Sequence, residues 1–206
     1  MPLRFDQTAR RAWTKSEFVA SLPDRPLDIL DVGAGPRPFR GRAMDTLTTV
    51  DFADQFNPDV VADVATEWPF ESDRFDLVYM SHVLEHFYPH DRDGIVRNIY
   101  TSLRPGGLLF IRVPHRSSMQ GVGWEHYSTY QLNSFIGLVH GENPTLPRFE
   151  AVSNGVATTI AWDAPRRLPR RIIEKVLNRS WNLTERYLAR IFQPAEVQML
   201  LRKPMA

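Results

Sequence analysis

The sequence has no cysteine. This excludes a disulfide framework, a thiol nucleophile and any zinc or iron–sulfur centre held by cysteine, and no metal site is assigned from the sequence. Long apolar runs are also missing: no uncharged stretch approaches the ~18–20 residues that would cross a bilayer. The opening Met1-Pro2-Leu3-Arg4-Phe5-Asp6-Gln7 lacks the apolar segment of a secretory signal. A soluble, cytoplasmic chain is expected. Net charge is nearly absent, 25 Lys and Arg against 24 Asp and Glu, so there is no global argument for a nucleic-acid partner and none is expected. Neither an internal repeat nor a low-complexity tract occurs.

The 206 residues are 43% hydrophobic and 24% charged, ordinary values for a globular protein. The length favours one domain with an appendage over two domains. Even charge overall conceals a polarity along the chain. From Arg166 onward there are ten Lys and Arg and three Asp and Glu, a net of +7, whereas residues 1–165 carry a net of −6. The last forty residues therefore serve a different purpose from the body.

Apolar periodicity supplies the elements. Residues 5–21 read as a helix carrying Phe5, Ala9, Trp13 and Phe18, followed by the breaker Pro23-Asp24-Arg25-Pro26. Short apolar runs at Leu27–Val32, Thr48–Phe52 and Phe75–Met80, and Leu108–Val113 closed by Pro114, read as strands, with Val60–Val64 a possible edge element. Ile95, Ile99 and Leu103 mark one face of a helix over 91–103, which stops at Arg104-Pro105-Gly106-Gly107. Strands apolar on both faces and alternating with helices imply a doubly wound, mostly parallel α/β sheet with helices on both faces.

In such sheets ligands bind beyond the carboxyl ends of the strands. Asp31 and the turn Gly33-Ala34-Gly35-Pro36 follow strand one, Asp51 ends strand two, Asp63-Val64 follow the third, Ser81-His82 and Glu85-His86 the fourth, and His115 the fifth. Gly33 and Gly35 permit positive φ and close ligand approach. Asp51 is placed to accept two hydrogen bonds from a ribose diol, Asp63 to accept an exocyclic amine while Val64 covers the ring, and Asp31 to orient the turn or receive a cationic group. A dinucleotide fingerprint would need glycine at position 38, where this chain has Pro38, which has no N–H to offer a pyrophosphate. A phosphate-free cofactor suits the turn better.

The runs LDILDVGAGPRPF, VDF, VADVATEWPFESDRFDLVYMSHVLEHF and LRPGGLLFIRVPH, in this order, resemble the class I S-adenosylmethionine-dependent methyltransferases, nearest the small type-11 and ubiquinone-biosynthesis-like members, over roughly residues 27–135. The resemblance implies a Rossmann-like single domain over 1–206, with a cofactor core at about 27–115 and an acceptor-side loop and basic helical segment at about 116–193. It implies S-adenosylmethionine as cofactor. Asp31, Gly33 and Gly35 would meet its methionine part, Asp51 the ribose, Phe52, Asp63 and Val64 the adenine, and Ser81 with His82 the region near the fourth strand. Arg37 stands where many members have a third glycine, and only twelve residues separate Gly35 from Thr48, so the first crossover helix is expected to be short or replaced by a turn.

Methyl transfer asks chiefly for in-line alignment, and oxygen acceptors also need a base. His126, within Trp124-Glu125-His126-Tyr127-Ser128-Thr129-Tyr130, and His115 are the leading candidates, ahead of His86. The aromatics of that loop suit a small-molecule or lipid-linked acceptor bound between residues 115–130 and 140–170. Ile173, Leu177, Trp181, Leu188 and Phe192 form an apolar stripe flanked by arginines. Three readings stay open for this segment: a helical insertion packed on the body before a last strand at Val197–Leu201, contact with an anionic membrane, or RNA binding. A catalytically silent adenosyl-ligand-binding subunit and a nicotinamide-dependent oxidoreductase are the alternative functions.

Overall fold

The computed structural model describes residues 10–121, 123–141, 143–161 and 168–205. Helix α1 (Lys15–Ser21) opens on a capping box: the Thr14 side chain accepts from the Glu17 N–H and the Glu17 carboxylate accepts from the Thr14 N–H. The expected helix over 5–21 is thus shorter; Phe5 and Ala9 lie outside the described residues. Trp13 sits before the cap because the sheet holds its backbone. Its N–H donates to Gln198 Oε1 at 2.6 Å and its indole N–H to Ser153 Oγ at 2.7 Å.

Seven strands form one sheet: β1 (Asp28–Val32), β2 (Thr46–Asp51), β3 (Val60–Val61), β4 (Phe75–Ser81), β5 (Leu103–Pro114), β6 (Glu150–Ala157) and β7 (Glu196–Arg202). Their order is 3-2-1-4-5-7-6; β7 runs antiparallel to β5 and β6, and the other paired strands are parallel. Strand order reverses between β1 and β4, the place at which sheets of this kind bind ligands. The Arg104–Gly107 segment ends helix α2 (Pro89–Ser102) as expected. It enters β5 as a bulge, however, with the register slipping between Phe75 and Leu77.

Alternation along the strands fills two cores. Ile29, Leu77, Tyr79, Phe110 and Leu200 meet Phe18 of α1, Phe39 and Trp13 on one face. Leu30, Val78, Met80, Leu109 and Ile111 meet Ile95 and Ile99 of α2 on the other. Residues 33–45, between β1 and β2, form a turn-rich loop without a helix, consistent with the short spacing. After α3 (Ile136–His140) and β6, helix α4 (Leu168–Leu177), then α5 (Trp181–Leu183), a π-helical turn (Thr184–Leu188) and α6 (Ala189–Phe192) precede β7. Leu177 is buried, and Ile173, Trp181 and Leu188 pack on the core, so the expected stripe faces the body for these residues. Among the described residues no helix is long and apolar enough to cross a membrane.

Candidate functional site

At the carboxyl end of β1 the Gly33 N–H donates to Val50 O at 2.8 Å, turning the chain with Gly33 at φ 66° and Gly35 at φ 52°. The two glycines do different work. A Cβ on Gly33 would lie 2.5 Å from Val83 Cγ2, so close packing inside the protein fixes that glycine. A Cβ on Gly35 would meet nothing within 4 Å, and here the backbone borders open space where a ligand can approach. Asp51 ties the turns together. Its Oδ2 accepts from the Gly35 N–H at 2.8 Å and its Oδ1 from the Ala53 N–H at 2.9 Å. The carboxylate is buried, and each oxygen retains a lone pair.

Asp31 lies next to this turn, buried, with Oδ2 accepting from the Phe39 N–H at 2.6 Å. Burial pushes its carboxyl up to about 7; the Phe39 N–H opposes the rise and the Asp51 charge adds to it. Two buried carboxyl groups that have no cationic partner among the described residues therefore border the glycine turn, an electrostatic setting that favours a positively charged ligand. Phe52 is exposed beside Asp51, and Asp63, also exposed, accepts from the Ala65 N–H through Oδ1 at 3.0 Å. Val64, expected to cover a ring face, is buried and belongs to the hydrophobic core.

Past β4, Ser81 Oγ accepts from Arg112 Nη1 at 3.1 Å. His82, at φ 58°, turns its ring to two buried carboxylates, Nε2 on Glu196 Oε2 at 2.9 Å and Nδ1 facing Glu85 Oε1 at 3.4 Å. Burial opposes a charged ring, but Glu196 and Glu85 outweigh it and push His82 up to about 9. The ring is thus held in a salt-bridge network at the rim. Arg112 completes the network, donating to Glu196 Oε2 at 2.6 Å and to the Tyr79 hydroxyl at 2.8 Å. Burial works against ionised Glu196, yet Arg112 and His82 hold it below the usual carboxylate range.

The two leading histidines differ. His115 has no exposed side-chain surface; Nδ1 accepts from the Ser117 N–H at 3.1 Å and Nε2 faces Glu185 Oε1 at 3.3 Å. His126 is half-buried in the 123–127 loop, where its ring meets the His86 ring edge-on with centroids 4.8 Å apart. Tyr127 stacks on Tyr88 at 4.1 Å, joining that loop to the start of α2, and Trp124 is exposed. The structure thus gathers Asp31, Gly33, Gly35, Asp51, Phe52, Ser81 and His82 on one rim and buries His115 beneath it.

Sequence reasoning missed Arg112 and Glu196. A signal was present in LLFIRV, since an arginine inside a buried strand requires a carboxylate partner. Which carboxylate followed only from β7 running antiparallel, which brings its first residue, Glu196, to the rim.

A family model described as a methyltransferase domain matches residues 5–172. No curated protein matches the chain. Among solved structures, an S-adenosylmethionine-dependent methyltransferase from Archaeoglobus fulgidus is 17% identical, with a TM-score of 0.54, covering 91% of this chain and 90% of that one. The 1,6-didemethyltoxoflavin-N1-methyltransferase of Burkholderia thailandensis, solved with bound 1,6-didemethyltoxoflavin and S-adenosylhomocysteine, is 17% identical with a TM-score of 0.54, covering 92% of this chain and 76% of that one. The [4+2]-cyclase SpnF is 16% identical with a TM-score of 0.59, covering 93% and 80%.

Proposed function

The chain belongs to the methyltransferase-domain family; on that premise we propose that it uses S-adenosylmethionine to methylate a small-molecule acceptor held over the rim by the 115–130 loop. Bound there, the cofactor supplies a methyl group on positively charged sulfur. Asp51 accepts the ribose hydroxyls, Phe52 lies beside the adenine and Asp63 takes its amine. Gly35 admits the methionine part while Asp31 faces its ammonium, and Gly33 with Val64 shapes the floor. Ser81 lines the cofactor beside β4, and His82 acts through the network that holds the Ser81 hydroxyl and Glu85.

The observation that carries this reading is Asp51. It is buried, anchored by one oxygen to each of two turns, and has lone pairs left beside the open side of Gly35. Calorimetry with S-adenosylhomocysteine tests it. The folded protein binds, and Asp51→Ala weakens binding by roughly 100-fold, the value of two hydrogen bonds to a charged acceptor. A folded wild-type protein that gives no heat overturns the proposal.

His126 is assigned to the acceptor side of the reaction, and His115 to pinning residues 115–117 against Glu185. The basic segment adds a second proposed surface. While Ile173, Leu177 and Trp181 face the body, Leu168, Ile172 and Val176 of α4 and Leu183, Tyr187 and Ile191 beyond it are exposed at four-residue spacing. Arg171, Lys175, Arg179, Arg186 and Arg190 are exposed among them. This pattern supports contact with an anionic membrane surface and, with it, a lipid-linked acceptor.

A further inference from the structure

We propose that Glu85, His86 and His126 form a binding site for a divalent transition-metal cation of the zinc class. Donor atoms of the three, one from each, lie within 4.8 Å of one another. Two hydrogen bonds fold the 123–127 loop over the turn that carries Glu85 and His86. The Tyr127 N–H donates to Glu85 O at 2.8 Å, and His86 Nδ1 lies 3.1 Å from Glu125 O. A carbonyl only accepts, so Nδ1 of His86 holds the proton and Nε2 presents a lone pair, the arrangement by which an outer hydrogen bond orients a metal-ligating imidazole.

The independent sign of a ligand is Glu85. Its side chain is 1% exposed, yet among the described residues neither carboxylate oxygen has a hydrogen-bond partner. His82 gives Oε1 an ion-pair partner at 3.4 Å, which leaves Oε2 as the oxygen without a partner among the described residues. His126 Nδ1 is likewise buried and unpartnered. Buried polar atoms of this kind are nearly always satisfied in folded proteins. An aromatic pair of histidines over an ion-paired glutamate explains the ring geometry but leaves Glu85 Oε2 and His126 Nδ1 unmatched. Gly123 makes the arrangement possible, since a Cβ there would crowd the His126 ring at 3.2 Å.

Two imidazoles and one carboxylate are the protein ligand set of a zinc site that keeps a coordination position open, and imidazole disfavours magnesium and calcium. Tetrahedral ligands about 2.0–2.2 Å from zinc lie roughly 3.3–3.5 Å apart, so occupancy draws the donor atoms together by about an ångström. His86 is exposed, so the open position is reached from solvent. On the reading of this rim as a methyl-transfer site, the cation there takes an oxygen of the acceptor and promotes loss of its proton to solvent. The acceptor class is then a hydroxyl or enol, and no free histidine base is required.

The test uses untagged, full-length protein stripped with chelator and titrated with Co²⁺. Saturable 1:1 binding with a visible absorption band, displaced by Zn²⁺, is expected. Glu85→Gln and His126→Asn each weaken it at least about tenfold, and the surface change His90→Ala does not. Melting curves confirm that each variant is folded. Absence of saturable Co²⁺ binding in folded wild type overturns the site, as does affinity unchanged in both variants. Calorimetry with S-adenosylhomocysteine on the same stripped sample separates the two readings. Heat from the nucleoside without Co²⁺ binding removes the cation alone, whereas Co²⁺ binding without that heat supports the cation site and removes the methyl-transfer reading.

Discussion

At Asp31 the protein and its ligand pull the proton in opposite directions. Burial holds the carboxyl up at about 7, whereas a cationic ligand favours the ionised form. Cofactor binding therefore releases a proton below that value, and affinity for S-adenosylmethionine rises between pH 6 and 8 and then levels off. Calorimetry in two buffers of different ionisation heat measures both; a flat profile without proton release means that Asp31 does not face the positive end of the cofactor. The same elevation makes the unliganded fold lose stability as pH rises from about 4, where the unfolded group titrates, to about 7. His82 continues the trend in a higher window. Its stabilising contribution is full below about 6.5 and is lost as pH rises through about 9, an effect of roughly 2–3 kcal/mol. Melting temperature accordingly declines across that window, and His82→Gln flattens the decline. The glycines divide on the same scale. Gly33→Ala incurs both left-handed strain and the clash with Val83, and lowers the melting temperature by several degrees. Gly35→Ala incurs only the strain, about 1 kcal/mol, yet weakens cofactor binding.

Among the elements, the buried salt bridge makes the sharpest prediction. Arg112→Met leaves Glu196 without its strongest partner and costs about 3–5 kcal/mol in urea unfolding at pH 7, while adding Glu196→Met recovers much of the loss. An additive double variant contradicts the pairing. The strands and α2 were legible in the sequence because doubly covered parallel strands appear as unbroken apolar runs ended by glycine or proline. Strand β6 was not legible. Its Ser153, Asn154 and Gly155 look like a loop, and tertiary partners make them a strand: Ser153 takes the Trp13 indole, Asn154 donates to Leu132 O at 2.7 Å, and Gly155 leaves room for the Arg11 backbone. The same distinction applies at the site. Asp31 and Asp51 were readable from their places at strand ends, since the fold alone puts such positions on the rim. The burial of His115 was not, because it depends on Glu185, seventy residues away in sequence.

On the scale of the whole molecule, the charge polarity and the exposed apolar rows of the last segment point to one experiment. The segment from Arg166 carries +7 against −6 for the remainder, so an anionic surface attracts one end of the protein and repels the other. Each basic residue brought near such a surface contributes about 1 kcal/mol, and the exposed Ile172, Val176, Tyr187 and Ile191 add apolar burial once contact is made. Co-sedimentation should therefore be strong with phosphatidylserine vesicles and weak with neutral ones. It should fall as salt shortens the Debye length from about 10 Å at 0.1 M to about 3 Å at 1 M. Ile172→Asp with Tyr187→Asp removes sedimentation while S-adenosylhomocysteine binding stays at the wild-type value, since neither residue touches the rim. Equal binding to neutral and anionic vesicles discards the electrostatic part of the proposal; failure to sediment with either discards the membrane surface altogether and leaves a freely diffusing small molecule as the acceptor.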